Sequence, residues 1–246
     1  MRSLLIDAKY TKKVVINEDT LNELKKHKRI ALYAAVQFIH LLPDIRKQLE
    51  SLHGVEVVTS KPDRTDANYQ ILGCNCHWKN YNFKEDIDAF FYVGDGYFHP
   101  LAMALAQRDL DLYKPVIIYD PKDDKKILID LERIAPIFKR YRASLMKFKN
   151  IEKVGVFVTT KPGQQQYRMS LALKEKYPDK KFYYFAGDNF DYNKTQDYPF
   201  IKFWINTACP RIGLDDQVNY DVDTINLMDA FTVDSILSKD SIFTRL

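Results

Sequence analysis

Short apolar runs that stop at glycine, cysteine, asparagine or aspartate recur along this chain with helical spacing between them. That alternation limits the possible folds more than any other feature. Residues 29–36 make a run bounded by a lysine-rich helical stretch, the form expected of a strand buried on both faces. Leu41, Leu42, Ile45, Leu49 and Leu52 then lie close to one helical stripe, Gly54 stands where a helix ends, and residues 55–58 read as the next strand. The cycle repeats with a strand at 89–93 ending at Gly94-Asp95-Gly96, a helix near 101–107 and a strand at 115–119. A basic amphipathic stretch fills 134–150. A fresh cycle then opens with strands at 154–158, 181–185 and 200–205 and a helix at 165–177. The tail from Asp229 onward is less regular and is expected to pack as a short helix or to fray. Strand and helix alternating at this spacing predict an α/β fold of two similar lobes, each a parallel sheet flanked by helices, one over 1–150 and the other over 151–246.

Composition narrows the function classes. With 246 residues and 46% hydrophobic side chains, the chain can bury one large core or two modest ones. Lys+Arg 37 against Asp+Glu 33 gives a formal charge of +4, and the two signs are mostly interleaved, so direct nucleic-acid binding is not implied. Leu4-Leu5-Ile6 is shorter than a secretory signal core, and no later run approaches a membrane span, so no membrane association is expected. Three cysteines are too few for a disulfide scaffold, which favours a reducing, cytoplasmic setting.

In parallel α/β sheets, ligands sit beyond the carboxyl ends of strands. Four segments fall there: 73–77 (Gly-Cys-Asn-Cys-His), 94–100 (Gly-Asp-Gly-Tyr-Phe-His-Pro), 159–165 (Thr-Thr-Lys-Pro-Gly-Gln-Gln) and 206–211 (Asn-Thr-Ala-Cys-Pro-Arg). They hold all three cysteines, Cys74, Cys76 and Cys209, a thiol set suited to a soft metal or an iron–sulfur cluster. The plainer alternative is three small buried hydrophobes. His99 is a candidate acid, base or carboxylate contact, against a role ordering its turn, and His77 a candidate ligand beside Cys74 and Cys76, against a solvated loop side chain. Gly94 and Gly96 complete no nucleotide fingerprint. Lys161-Pro162-Gly163-Gln164 is either an anion seat at a helix start or an ordinary strand-to-helix turn. Asp215 and Asp216 are candidate metal or amine ligands, or partners of Arg211. The basic residues Lys139, Arg140, Arg142, Lys147 and Lys149 form a partner-binding or simply solvated face.

As an ordered set, Ala34-Ala35-Val36-Gln37, Gln70-Ile71-Leu72-Gly73-Cys74, Val93-Gly94-Asp95-Gly96 with Phe98-His99-Pro100-Leu101, Lys161-Pro162-Gly163-Gln164 and Asn206-Thr207-Ala208-Cys209-Pro210-Arg211 with Asp215-Asp216 resemble the diphthamide-synthesis family, the 2-(3-amino-3-carboxypropyl)histidine synthases. The resemblance covers roughly residues 28–220. It implies a non-standard radical enzyme in which three α/β domains each give one cysteine to a [4Fe-4S] cluster that binds S-adenosyl-L-methionine. The aminocarboxypropyl group is then transferred to a histidine of translation elongation factor 2. Cys74 matches the second domain's ligand and Cys209 the third's, while Gly94, Gly96, His99, Gly163 and Gln164 would shape the S-adenosylmethionine pocket. The stretch before Lys28 is too short for the family's first domain and has no cysteine. A third thiolate would therefore come from Cys76 or from a second subunit of a homo- or hetero-oligomer. Otherwise the chain is a cluster-free binding or accessory subunit of a diphthamide-synthesis complex.

Overall fold

Ile30-Ala31-Leu32-Tyr33-Ala34 and Ala89-Phe90-Phe91-Tyr92-Val93 are buried along their whole length, as strands with neighbours on both edges and layers on both faces must be. The computed structural model describes residues 8–216 and 222–246; the apolar Leu4-Leu5-Ile6 stretch lies outside them. The chain divides into two compact units, one of residues up to Arg108 with Leu112–Ile134, the other of Asp109–Asp111 with Ala135–Leu246.

In the first unit the order is α1 (Glu18–Leu24), β1 (Arg29–Ala34), α2 (Leu42–Glu50), β2 (Glu56–Val58), β3 (Ala89–Val93), α3 (Phe98–Leu105), β4 (Val116–Asp120) and β5 (Lys125–Ile129), followed by α4 (Leu131–Asn150), which crosses the junction between the units. The five strands form one sheet in the order β2-β1-β3-β4-β5. All its pairs are parallel except β4 with β5. The antiparallel edge departs from the purely parallel sheet expected, because the turn between β4 and β5 is too short to hold a crossover and can only reverse the chain. α1 is started by Asn17, whose side chain accepts the Thr20 N–H at 2.9 Å. α2 carries Pro43 in its first turn, where no N–H is needed, and buries Leu42, Ile45 and Leu49 on one face. α3 begins at Phe98, earlier than the apolar spacing alone predicts, because Pro100 falls in a first turn that tolerates it.

The second unit continues with β6 (Lys153–Thr159), α5 (Tyr167–Leu171), α6 (Leu173–Lys176), β7 (Lys181–Gly187), β8 (Phe203–Asn206), α7 (Pro210–Leu214), β9 (Asp223–Asn226), α8 (Leu227–Phe231), α9 (Val233–Ser238) and α10 (Ile242–Arg245). Its sheet is parallel throughout, in the order β7-β6-β8-β9. Phe138, Tyr141, Leu145 and Phe148 of α4 recur at spacings of three and four and are fully buried. Phe148 meets Phe203, and Tyr141 and Phe138 meet Phe243. The tail is thus a series of short helices anchored by Phe243. The basic face of α4 is partly spent on pairs within the unit, Lys147 with Asp223 and Lys149 with Asp234. Among the described residues no helix is long and apolar enough to cross a membrane. The fold is α/β, with a mostly parallel sheet in one unit and a parallel sheet in the other.

Candidate functional site

Each sheet has one place where the connections leave in opposite directions, and in parallel α/β sheets it is there, beyond the carboxyl ends of the strands, that ligands sit. In the first unit it lies between β1 and β3, in the second between β6 and β8.

β1 ends at Ala34, whose N–H bonds to Tyr69 O at 2.8 Å and whose carbonyl accepts Ile71 N–H at 3.1 Å. Residues 69–71 therefore pair alongside the carboxyl end of β1, on the edge away from β3, and deliver the chain into the turn bearing Cys74. Asn75, 1% exposed, shapes that turn. Its Oδ1 accepts Leu72 N–H at 2.8 Å, its Nδ2 donates to Asp63 O at 3.1 Å, and Tyr81 OH donates to its carbonyl at 3.1 Å. The Asp63 carboxylate accepts Asn80 Nδ2 and Asn82 Nδ2, each at 3.0 Å, which holds its pKa below the usual carboxylate range. Beneath lies an aromatic cluster: Tyr81 stacks on Phe83 at 5.5 Å and meets Phe90 and Tyr33 edge-on at 5.3 and 5.6 Å. Burial pushes the Tyr81 phenol far up, so it remains a donor. Cys74 is half-buried and Cys76 buried, the latter with Sγ donating to Gly73 O at 3.2 Å. His77 opens the 3-10 turn Trp78–Tyr81, its N–H on Asn80 Oδ1 at 3.1 Å.

A side chain on Gly73 would overlap the ring of Phe98, so the cysteine turn and the start of α3 interlock. Gly94 and Gly96 have φ of +153° and +69°, and a side chain on Gly94 would also strike the Tyr92 hydroxyl. The Tyr92 and His99 rings lie nearly parallel, with centroids 6.4 Å apart. Asp95 is paired with Lys122. The first unit thus gathers Cys74, Gly94, Gly96 and His99 at one end of its sheet.

In the second unit, Lys161-Pro162-Gly163-Gln164 forms a β-turn closed by Gln164 N–H on Lys161 O at 3.2 Å, with Gly163 at φ +77°, the value a type II turn requires there. α5 begins only at Tyr167 and has five residues. The segment is therefore a turn and presents no helix start to an anion. Lys161 Nζ reaches Asn189 Oδ1 at 2.5 Å. Asn206 ends β8, Thr207 N–H bonds to Phe157 O of β6 at 3.2 Å, and Cys209 follows, half-buried, immediately before Pro210 starts α7. Arg211, 3% exposed, pairs with Asp215, so Asp215 has its cation within the chain. A hollow of about 200 Å³ lined by Phe157, Phe185, Phe190, Tyr198 and Trp204 touches none of Gly163, Gln164 or Cys209.

Sequence reasoning passed over the residues that hold the cysteines in place: Asn75, Asp63, Asn80 and Asn82 in one unit, Asn226 and Tyr141 in the other. One signal was present, because β8 and β9 both end in Ile-Asn, at Ile205-Asn206 and Ile225-Asn226.

The profile of the diphthamide synthesis protein family matches residues 6–239. The chain belongs to that family. A 2-(3-amino-3-carboxypropyl)histidine synthase of Pyrococcus horikoshii is 32% identical over 205 residues, covering 81% of this chain and 55% of that protein. The synthase of Methanocaldococcus jannaschii is 28% identical over 216 residues, covering 83% and 53%. The crystal structure of Dph2 from Pyrococcus horikoshii with a 4Fe-4S cluster superposes with a TM-score of 0.71 at 26% identity, over 92% of this chain and 63% of that one. The chain spans about half the length of the curated relatives it matches.

Against the cluster seen in that diphthamide-family structure, the donor set here is uneven. Cys74 and Cys209 are half-buried residues, Cys74 in the long β2–β3 connection and Cys209 three residues after β8. Cys76 is turned into its own loop. Among the described residues, no three His, Cys, Asp or Glu side chains gather as a ready metal site.

Proposed function

We propose that this chain belongs to a 3-amino-3-carboxypropyl transferase, giving one thiolate from each unit, Cys74 and Cys209, to a [4Fe-4S] cluster. The donor is S-adenosyl-L-methionine and the acceptor a histidine of translation elongation factor 2, a cytoplasmic partner. The observation that carries the proposal is that each unit holds one half-buried cysteine in a loop near the carboxyl end of its sheet. When bound, the cluster supplies a reducing electron that cleaves the sulfur–carbon bond to the aminocarboxypropyl group. This chain's own residues hold and orient. In this reading Gly94 and Gly96, which carry no side chain after β3, His99, whose ring lies nearly parallel to that of Tyr92, and the Gly163-Gln164 turn after β6 would border the S-adenosylmethionine site. A third thiolate would come from Cys76 through loop rearrangement or from outside the residues described, such as another subunit, and the burial of Cys76 favours a source outside them.

Anaerobic reconstitution with iron and sulfide tests the proposal, either alone or with a candidate partner subunit. Expected are bound iron, visible absorption that is lost on Cys74→Ala or Cys209→Ala, and methylthioadenosine when dithionite and S-adenosylmethionine are added. An iron-free, colourless protein under all these conditions overturns it. The same burial of Cys76 favours a second reading, an accessory subunit without a cluster; that reading predicts binding to a partner subunit or to the elongation factor unaffected by either alanine substitution.

A further inference from the structure

We infer that Asn226, which no sequence motif singled out, is the positioning residue for Cys209, acting through Asn206. This rests on the proposal that Cys209 is a cluster ligand. β8 and β9 are parallel, with Asn206 directly opposite Asn226, so the two amides meet as cross-strand neighbours. Asn206 encloses the cysteine turn: its Oδ1 accepts Ala208 N–H at 3.0 Å, and its Nδ2 donates to Cys209 O at 2.8 Å. The second hydrogen of that Nδ2 goes to Asn226 Oδ1 at 2.8 Å. This contact reinforces the orientation set by Ala208 N–H and Cys209 O, because a flipped Asn206 amide would put its oxygen against both Asn226 Oδ1 and Cys209 O and its NH2 against the Ala208 N–H. Asn226 Nδ2 donates to Pro210 O at 2.9 Å, so the pair grips the carbonyls on both sides of the Cys209–Pro210 bond.

Asn226 is itself held. Its backbone N–H donates to Tyr141 OH at 3.0 Å, and that hydroxyl donates to the buried Asp229 carboxyl at 2.5 Å. Gly213 in α7 is without a side chain where one would overlap the Asn226 amide. Asn206 and Asn226 are 1% and 7% exposed. A buried amide network this complete has one low-energy arrangement, and losing one member leaves the others unsatisfied. The backbone that carries the Cys209 side chain is therefore held from the neighbouring strand.

The experiment measures the alkylation rate of each cysteine in the cluster-free protein by peptide-resolved mass spectrometry, for wild type, Asn226→Ala and the near-isosteric Asn226→Asp. The cluster's electron paramagnetic resonance spectrum is recorded after reconstitution. Asn226→Ala is expected to change the Cys209 rate roughly fivefold, the size that losing about one net hydrogen bond allows. The Cys74 rate in the same sample should stay unchanged and the spectrum should shift. Asn226→Asp keeps the acceptor for Asn206, loses the donor to Pro210 and should shift both readouts less. Equal changes at Cys74 and Cys209, or no change at Cys209 in either variant, overturn the inference. A wild type that binds no iron while Asn226→Ala still alters Cys209 alone leaves the positioning role standing and removes the cluster proposal.

Discussion

Cys74 and Cys209 are carried to the carboxyl ends of their sheets on different supports. Cys209 comes three residues after a strand and directly before a helix opened by Pro210, so two regular elements limit where it can go, and two amides do the rest. Cys74 sits in the connection from β2 to β3, which runs from Thr59 to Asp88 with only the 3-10 turn Trp78–Tyr81 as regular structure. Its rigidity is tertiary: aromatic rings underneath, an asparagine–aspartate brace at the side. A crossover of that length is normally a helix. Here Tyr33, Trp78, Tyr81, Phe83 and Phe90, with centroids 5.1 to 6.4 Å apart, take over the helix's task of covering the sheet. The difference implies that a cysteine on a strand–helix corner should tolerate loss of packing nearby better than one on a packed loop.

Tyr81→Ala should break the comparison most severely. The ring is fully buried, and its removal is expected to destabilise the first unit by about 3–5 kcal/mol, the range for emptying a large aromatic site. Chemical denaturation gives the loss, and alkylation of Cys74 should accelerate while that of Cys209 does not. Equal acceleration at both would mean the two mounts are not independent.

The two glycines under the cysteine segments sharpen the contrast. Both would overlap a neighbour if given a methyl group, but the neighbours differ: Phe98 is 55% exposed and can swing, whereas the Asn226 side-chain amide is buried and bonded to Asn206 and to Pro210 O. Gly213→Ala should cost about 1–3 kcal/mol through overpacking and disturb Cys209. Gly73→Ala should cost less and be recoverable with Phe98→Ala. Thermal denaturation of the two single variants and the double variant decides it. The reverse order of cost would refute the account.

Much of this architecture was readable from residue order. β3 coincides with the run at 89–93, and β1 and β6 fall within or around their expected runs, because a strand buried on both faces must be apolar along its length. β5 and β9 were not readable. Lys125-Lys126-Ile127-Leu128-Ile129 is an edge strand whose charged start resembles a loop, and Asp223-Thr224-Ile225-Asn226 has one aliphatic residue. The predicted helix at 165–177 is two short helices meeting at Ala172. The strand-end segments were readable because their residues are small or special in backbone geometry. The braces were not, since Asp63, Asn80, Asn82 and Asn226 become neighbours of the cysteine turns only through tertiary folding.

Cys76→Ala tests whether that thiol is part of the loop or part of the donor set. A buried S–H on a carbonyl is a weak bond, so the variant should lose about 1 kcal/mol or less. It should retain the iron that wild type binds, while Cys74→Ala loses it. Iron loss equal to that of Cys74→Ala would restore Cys76 as a ligand.

The smallest effect expected is a difference in pH response. Asp63 accepts from Asn80 and Asn82 with Lys79 nearby, and these hold its carboxyl below the ordinary range in the folded chain. A depressed folded pKa means that the brace is at full strength above the unfolded carboxylate's pKa and fades as pH falls through the lower, folded one. Protonation replaces one acceptor oxygen with an O–H, so Asn80 and Asn82 can no longer both be accommodated. Amides 72–76 should then lose protection on acidification, relative to their intrinsic exchange rates. Amides 207–209 should lose less, because Asn206 and Asn226, which bond to that turn, carry no titrating group. Asp63→Asn removes the titrating group and should flatten the profile of 72–76. If wild type and Asp63→Asn lose protection over 72–76 in parallel, the acid sensitivity belongs to the unit as a whole and the carboxylate brace has no separate role.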